Sequence, residues 1–299
     1  MNQQTKQTEF ETEQKIDQAR VRRAFDRAAK NYEQFAVMQN EVCKRLLEKL
    51  EIVKISPRYI LDAGTGTGSA IPALFKRYKK AQLVALDLSE NMLEQSRRHG
   101  SFFRAPHLVC ADIEQLPFAD NVFDLVFSNL SMQWCNDLNA VFLEAKRVLK
   151  PGGLFVFTTF GPDTLKELRS SWAAADKSNH VNRFIDMHDI GDALLHDGFA
   201  EPVMEAEVLT LTYDSADEVM RDLKAIGANV KSGRSGTGVV RSGLGGKALL
   251  QAVRDNYEQF RQDNLLPASY EIIYGHAWKP VNDKRKQEAS NQQLVDFQP

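Results

Sequence analysis

In the stretch YILDAGTGTGSA, residues 59–70, an acidic residue closes a short apolar run, and Gly64, Gly66 and Gly68 follow at alternate positions. Glycines let the chain turn sharply and let a ligand approach the main chain closely. The pattern therefore reads as a buried strand, a tight turn and the start of a helix. The chemistry turns on Asp62. A dinucleotide loop needs G-x-G-x-x-G, and the sixth position counted from Gly64 is Ser69. A pyrophosphate would also be repelled by a carboxylate in a partly dry cleft. A ligand carrying an ammonium or sulfonium group would be attracted, and its own carboxylate could still use the N–H groups at the helix start.

Other strand ends extend the pattern. Asp87 closes LVALDLS with Leu88 beside it, placed to accept two ribose hydroxyls. Asp112 and Ile113 in CADIEQLPF suit an adenine amino group and ring, and Asn129 and Leu130 in FSNLSMQW fall beside the same ligand. S-adenosyl-L-methionine combines these features: a nucleoside, a sulfonium and an amino-acid end. Six scattered histidines form no HExxH and no Cys/His ligand spacing, so no metal is expected.

Compact apolar runs alternate with helical patterns from residue 59 to 160: YILDAG, LVALDLS, HLVCAD, FDLVFSNLS and, after the turn PGG, LFVFTTF. Such alternation predicts an α/β fold with a doubly wound, mostly parallel, seven-stranded sheet, which takes ligands at the carboxyl ends of its strands. Two late strands, VMEAEVLTLTY and YEIIYGHAWK, are expected to pair antiparallel at the sheet edge. Apolar residues recurring three or four apart between Asp17 and Leu50 predict one long amphipathic helix or two in sequence. The reading is a single domain over 19–280, with a cofactor half at about 56–160 and substrate-side elements at 19–50 and 161–260. Residues 1–18 are expected to form a flexible extension and 281–299 a disordered tail.

The 299 residues are 43% hydrophobic and 26% charged, with a net charge of −2, which points to neither nucleic acid nor a membrane as partner. No run approaches the about 20 apolar residues of a membrane span. MNQQTKQTEFETEQK lacks the apolar core of a signal peptide, and Cys43, Cys110 and Cys135 are widely spaced and odd in number. A cytoplasmic monomer with free thiols is expected.

Through LDAGTGTG, ALDLS, ADIEQLPF, FDLVFSNLSMQW and RVLKPGG the chain resembles the class I S-adenosylmethionine-dependent methyltransferases over residues 58–157. The flanking blocks VRRAFDRAAKNYEQFA, FTTFGPDTLKELRSSW, NRFIDMHDI and MRDLKAIGA are similar to the malonyl-acyl-carrier-protein O-methyltransferases of biotin synthesis, over about residues 20–280. That resemblance implies methylation of the free carboxylate of a malonyl thioester on acyl carrier protein or coenzyme A. The ester masks a charge so that elongation can reach the pimeloyl stage. It also implies an acceptor site. Arg183 would clamp the malonyl carboxylate, Tyr32 would close over the site, and Gln133 and Trp134 would line the acceptor pocket. Lys224, Lys231, Arg234 and Arg241 would steer an acidic carrier protein. A methyltransferase for another small carboxylate or a quinone precursor, or an assembly factor built on the same fold, are the alternatives.

Overall fold

The computed structural model describes residues 16–101, 104–176, 184–227 and 244–281. Strands β1 (Tyr59–Ala63), β2 (Gln82–Asp87), β3 (His107–Cys110), β4 (Phe123–Asn129), β5 (Leu149–Phe160), β6 (Ala200–Tyr213) and β7 (Leu266–Trp278) form one seven-stranded sheet in the order β3-β2-β1-β4-β5-β7-β6. The first five run parallel, and β7 is antiparallel to both β5 and β6. β1 pairs with both β2 and β4, Ile60 standing opposite Leu83 on one side and Leu125 on the other. The winding therefore reverses at β1 and β4. The carboxyl ends of those strands open the crevice where such sheets take ligands.

Side chains alternate across a strand, and the sheet divides its core accordingly. Ile60, Leu83, Leu125 and Phe127 join one buried cluster, while Leu61, Val126, Phe155 and Phe157 join another. Helices α3 (Val37–Lys49), α4 (Ile71–Arg77), α7 (Lys166–Ala175) and α10 (Leu244–Tyr257) cover the first face through Leu46, Leu74, Trp172 and Tyr257. The second face is covered by α6 (Leu138–Val148) and α8 (Met187–His196) through Phe142 and Leu194. The remaining helices are α1 (Gln18–Ala28), α2 (Tyr32–Phe35), α5 (Glu90–Ser96) and α9 (Ala216–Ala225).

Two boundaries differ from the sequence reading. The segment 17–50 is three α-helices, because Asn31 (φ −114°, ψ 1°) and Ala36 (φ −82°, ψ 35°) leave helical geometry. Asp17 accepts the Arg20 N–H at 3.1 Å as an N-cap, and α1 begins at Gln18. The fifth strand starts at Leu149, before the PGG turn, since Leu149 pairs with Phe123 and Leu154 with Leu125 across a shift in register. No helix among the described residues is long and apolar enough to cross a membrane.

Candidate active site

The loop after β1 is pinned before any ligand enters. Gly64 and Thr65 both donate their N–H to the Leu86 carbonyl, at 2.8 and 2.9 Å, which ties the loop to β2. All three glycines have positive φ: 78°, 56° and 89°. Their surroundings differ. A Cβ on Gly64 would stand 2.3 Å from Ser131 Cβ, and one on Gly68 would meet Ile71 Cδ1 at 2.8 Å and Ser96 Cβ at 2.9 Å. A Cβ on Gly66 would meet nothing within 4 Å beyond its own chain neighbours. Gly64 and Gly68 are thus small so that protein can pack, whereas Gly66 faces open space.

That space belongs to a cleft enclosing about 870 Å³, its solvent-filled mouth included. Its floor is Gly64, Gly66, Asp87, Leu88, Asp112, Ile113, Asn129 and Leu130, and its roof includes Val21, Phe25, Tyr32 and Trp134. The roof is held by aromatic edges: Phe25 packs T-shaped on Trp134 at 5.3 Å and on Tyr32 at 6.5 Å. Gln18 latches the start of α1, its amide donating to Glu114 Oε1 at 3.2 Å and to the Trp134 carbonyl at 3.1 Å. Gln18, Val21, Phe25, Gln39 and Ser131 were not singled out from the sequence as site residues. The amphipathic stripe on α1 signalled a buried face, though not which surface it would meet.

The other expected site residues lie elsewhere. Asp62 is 2% exposed and sits beneath the loop, taking the Thr65 hydroxyl on Oδ2 at 2.7 Å. It is not among the lining residues, so its charge acts on the cavity through the field and not by contact. Gly68 is likewise outside the lining. Gln133 also misses the cavity, because its Nε2 donates to the Leu130 carbonyl at 2.6 Å. Leu130 is left-handed (φ 47°), and Gln133 helps to hold that strained turn. Arg183, Lys231, Arg234 and Arg241 lie outside the described residues, while Lys224 is on α9.

The electrostatics are one-sided. Among the described residues, no Lys, Arg or His lines the cavity. Burial pushes the Asp62 carboxyl up to about 7, opposed by the Thr65 hydroxyl and reinforced by Asp87. Burial raises Asp87 to about 6 against the stabilising N–H groups of Ser89 and Gly66, 2.8 and 2.9 Å from its oxygens. The Tyr32 phenol is held neutral by burial and then by the charge of Asp87. These acids bind protons more tightly folded than unfolded. Their stabilising effect is full below the ordinary carboxylate range and is lost as pH rises through 6 to 7. A cationic ligand reverses the balance by favouring the ionised forms. Affinity for S-adenosylmethionine should therefore tighten as pH rises from 5.5 to 7.5, with proton release on binding. Calorimetry in two buffers of different ionisation heat measures that release, and proton uptake would contradict it.

The cavity fits a nucleoside with a cationic arm. Asp87 and Asp112 put carboxylate acceptors in its wall, and the gap over Gly66 leaves room for a ligand close to the main chain. A doubly wound sheet with this loop and this anionic cavity at its switch point defines the class I S-adenosylmethionine-dependent methyltransferases. A family model for the methyltransferase domain matches residues 61–157. A malonyl-[acyl-carrier protein] O-methyltransferase of Methylovorus sp. (strain MP688) is 53% identical over 272 residues, 89% of this chain and 90% of that one. The protein of the same name from Gallionella capsiferriformans (strain ES-2) is 51% identical over 273 residues, covering 89% and 92%. The chain belongs to the malonyl-[acyl-carrier protein] O-methyltransferase family. In fold it is similar to the YcgJ protein of Bacillus subtilis, with a TM-score of 0.53 at 17% identity over 80% of this chain and 98% of that one.

Proposed function

We propose that the chain methylates the free carboxylate of a malonyl group carried as a thioester on acyl carrier protein, with S-adenosyl-L-methionine as donor. Its close relatives bear the name of that activity. The observation that carries the cofactor assignment is the cavity itself, with Asp87 and Asp112 in its wall, Asp62 beneath it and no cation among its described lining residues. Such a field favours a sulfonium nucleoside over a dinucleotide phosphate.

When bound, S-adenosyl-L-methionine supplies an electrophilic methyl carbon to a carboxylate oxygen and leaves its sulfur as a neutral thioether. The residues have correspondingly little proton chemistry to do. A carboxylic acid of pKa about 4 is already ionised at neutral pH, so no general base is needed. What remains is alignment and exclusion of water. Asp87 and Asp112 would orient the nucleoside, and the Val21, Phe25 and Trp134 roof would keep the cavity dry. Tyr32, neutral beside Asp87, would close it without adding charge. Arg183 would recruit the malonyl carboxylate.

The test is methyl transfer by purified protein, followed by mass spectrometry, with malonyl-carrier protein, malonyl-coenzyme A, free malonate and a quinone precursor in parallel. Malonyl thioesters should gain one methyl. Transfer only to another acid would overturn the substrate, and cofactor binding with no transfer would indicate an assembly role. Rescue of a biotin auxotroph lacking its malonyl methylase should make supplied pimelate unnecessary. Arg183→Ala should raise KM for the malonyl thioester while leaving that for the cofactor unchanged. We propose a cytoplasmic monomer, which sedimentation of the purified protein checks in part.

A further inference from the structure

Asn129 ends β4 at the switch point of the sheet and lines the cavity. Its partners determine which way its carboxamide points. One end faces the Gln39 main-chain carbonyl at 3.3 Å. A carbonyl only accepts, so that end is the NH2. The other end, Oδ1, accepts the Thr158 hydroxyl proton at 2.9 Å, and Thr158 Oγ1 accepts the Leu130 N–H at 2.9 Å. Thr158 is fully buried, so this chain of bonds runs without competition from solvent. One amide proton of Asn129 goes to Gln39. The second has no protein acceptor among the described residues. The Gln39 side chain lines the same cavity, and its Oε1 is buried without a partner.

The order of strands says what these two amides face. Asp112 follows β3 and Asp87 ends β2, both on one flank of β1, whereas Asn129 ends β4 on the other. With the nucleoside spanning the first flank, the reactive end of the cavity is the β4 side. We infer that Asn129 and Gln39 hold the acceptor carboxylate between two neutral carboxamides, with Thr158 as the positioning residue that aims Asn129. This rests on the carboxyl-methylation reading above. A half-turn of the Gln39 amide brings its NH2 to the place of the unpartnered oxygen.

Neutral donors suit the chemistry better than a maintained ion pair. A carboxylate paired with a full positive charge is a weaker nucleophile, whereas amide N–H groups orient it and leave its charge on oxygen. The product is an uncharged ester, which accepts weaker hydrogen bonds than a carboxylate, so the grip loosens once the methyl has moved. Long-range recruitment is left to cations such as Arg183.

The experiment measures binding apart from turnover. Calorimetry gives the Kd of S-adenosylhomocysteine, and then the Kd of malonyl-coenzyme A for protein loaded with it. Asn129→Leu and Gln39→Leu should keep the first within about threefold and weaken the second about tenfold to hundredfold, the range for losing a hydrogen bond to a charged group. Thr158→Val should weaken malonyl-coenzyme A binding in the same sense, and Thr158→Ser should restore it. Equal losses for both ligands would assign the amides to the cofactor and overturn the inference, as would unchanged malonyl-coenzyme A binding in both leucine variants. Wild-type protein that binds S-adenosylhomocysteine yet neither binds nor methylates any malonyl thioester would remove the substrate reading itself, before any variant is compared.

Discussion

Gly66→Ala should cost the protein its cofactor while sparing its fold, and Gly64→Ala should do the reverse first. Both glycines have positive φ, which costs an alanine about 1–2 kcal/mol. At Gly66 no atom beyond its own chain neighbours lies within 4 Å of the new methyl, so little further destabilisation follows. The methyl instead occupies the gap through which a ligand would approach the loop. Overpacking of about 1–3 kcal/mol then appears as cofactor affinity lower by about fivefold to 150-fold. At Gly64 the methyl would stand 2.3 Å from Ser131 Cβ. Ser131 cannot simply move away, because its hydroxyl is 2.6 Å from Ser128 Oγ and donates to the Ala63 carbonyl at 3.2 Å. Strain and overlap together come to about 2–5 kcal/mol, a fall of about 4–20 °C in Tm for a chain of this size. Thermal melts with and without S-adenosylhomocysteine separate the two effects. Adding Ser131→Gly to Gly64→Ala should recover part of the loss, and strict additivity in that cycle would refute the overlap.

Asp87→Ala should weaken S-adenosylhomocysteine by about a hundredfold to ten-thousandfold, the combined value of two ribose hydrogen bonds to a charged acceptor at about 1.5–3 kcal/mol each. The carboxylate has a second duty, since it already accepts the N–H groups of Gly66 and Ser89. The alanine leaves both donors unpaired and loosens the loop, so Tm should also drop. Asp87→Asn separates these duties. It keeps one acceptor oxygen but turns an NH2 towards a main-chain N–H, so its affinity should fall between wild type and alanine. The Tyr32 phenol reports the same charge independently. With Asp87 neutralised, one of the two causes that keep it protonated disappears, and its spectrophotometric titration should move to lower pH. Unaltered affinity in Asp87→Ala would place the ribose elsewhere.

Much of the site was legible because it sits at the ends of strands. A strand end is local information: an apolar run stops, and the next polar residue has an address on the sheet. Asp87, Asp112 and Asn129 were found in this way and all three line the cavity. Gln133 was assigned by the same proximity and lies outside it, because a 3-10 turn follows Leu130 and the Gln133 amide folds back onto the Leu130 carbonyl. The three glycines looked equivalent in spacing, yet only Gly66 faces open space. Their difference depends on Ser131 and Ser96, which are 67 and 28 residues away in the chain.

By itself the sequence determined the alternation of strands and helices, the acidic glycine loop, the preference for a cationic nucleoside and the family. Each follows from periodicity, residue type or short-range spacing, and those are properties of neighbours along the chain. Only the tertiary structure decided that α1 roofs the cavity, that Asp62 acts from beneath the loop, and that Thr158 on β5 turns the Asn129 amide. These depend on which surfaces meet once the two faces of the sheet are covered. Burial then sets the charge state of Asp62 and Asp87, because only a folded chain takes Asp62 out of water and Asp87 partly out of it.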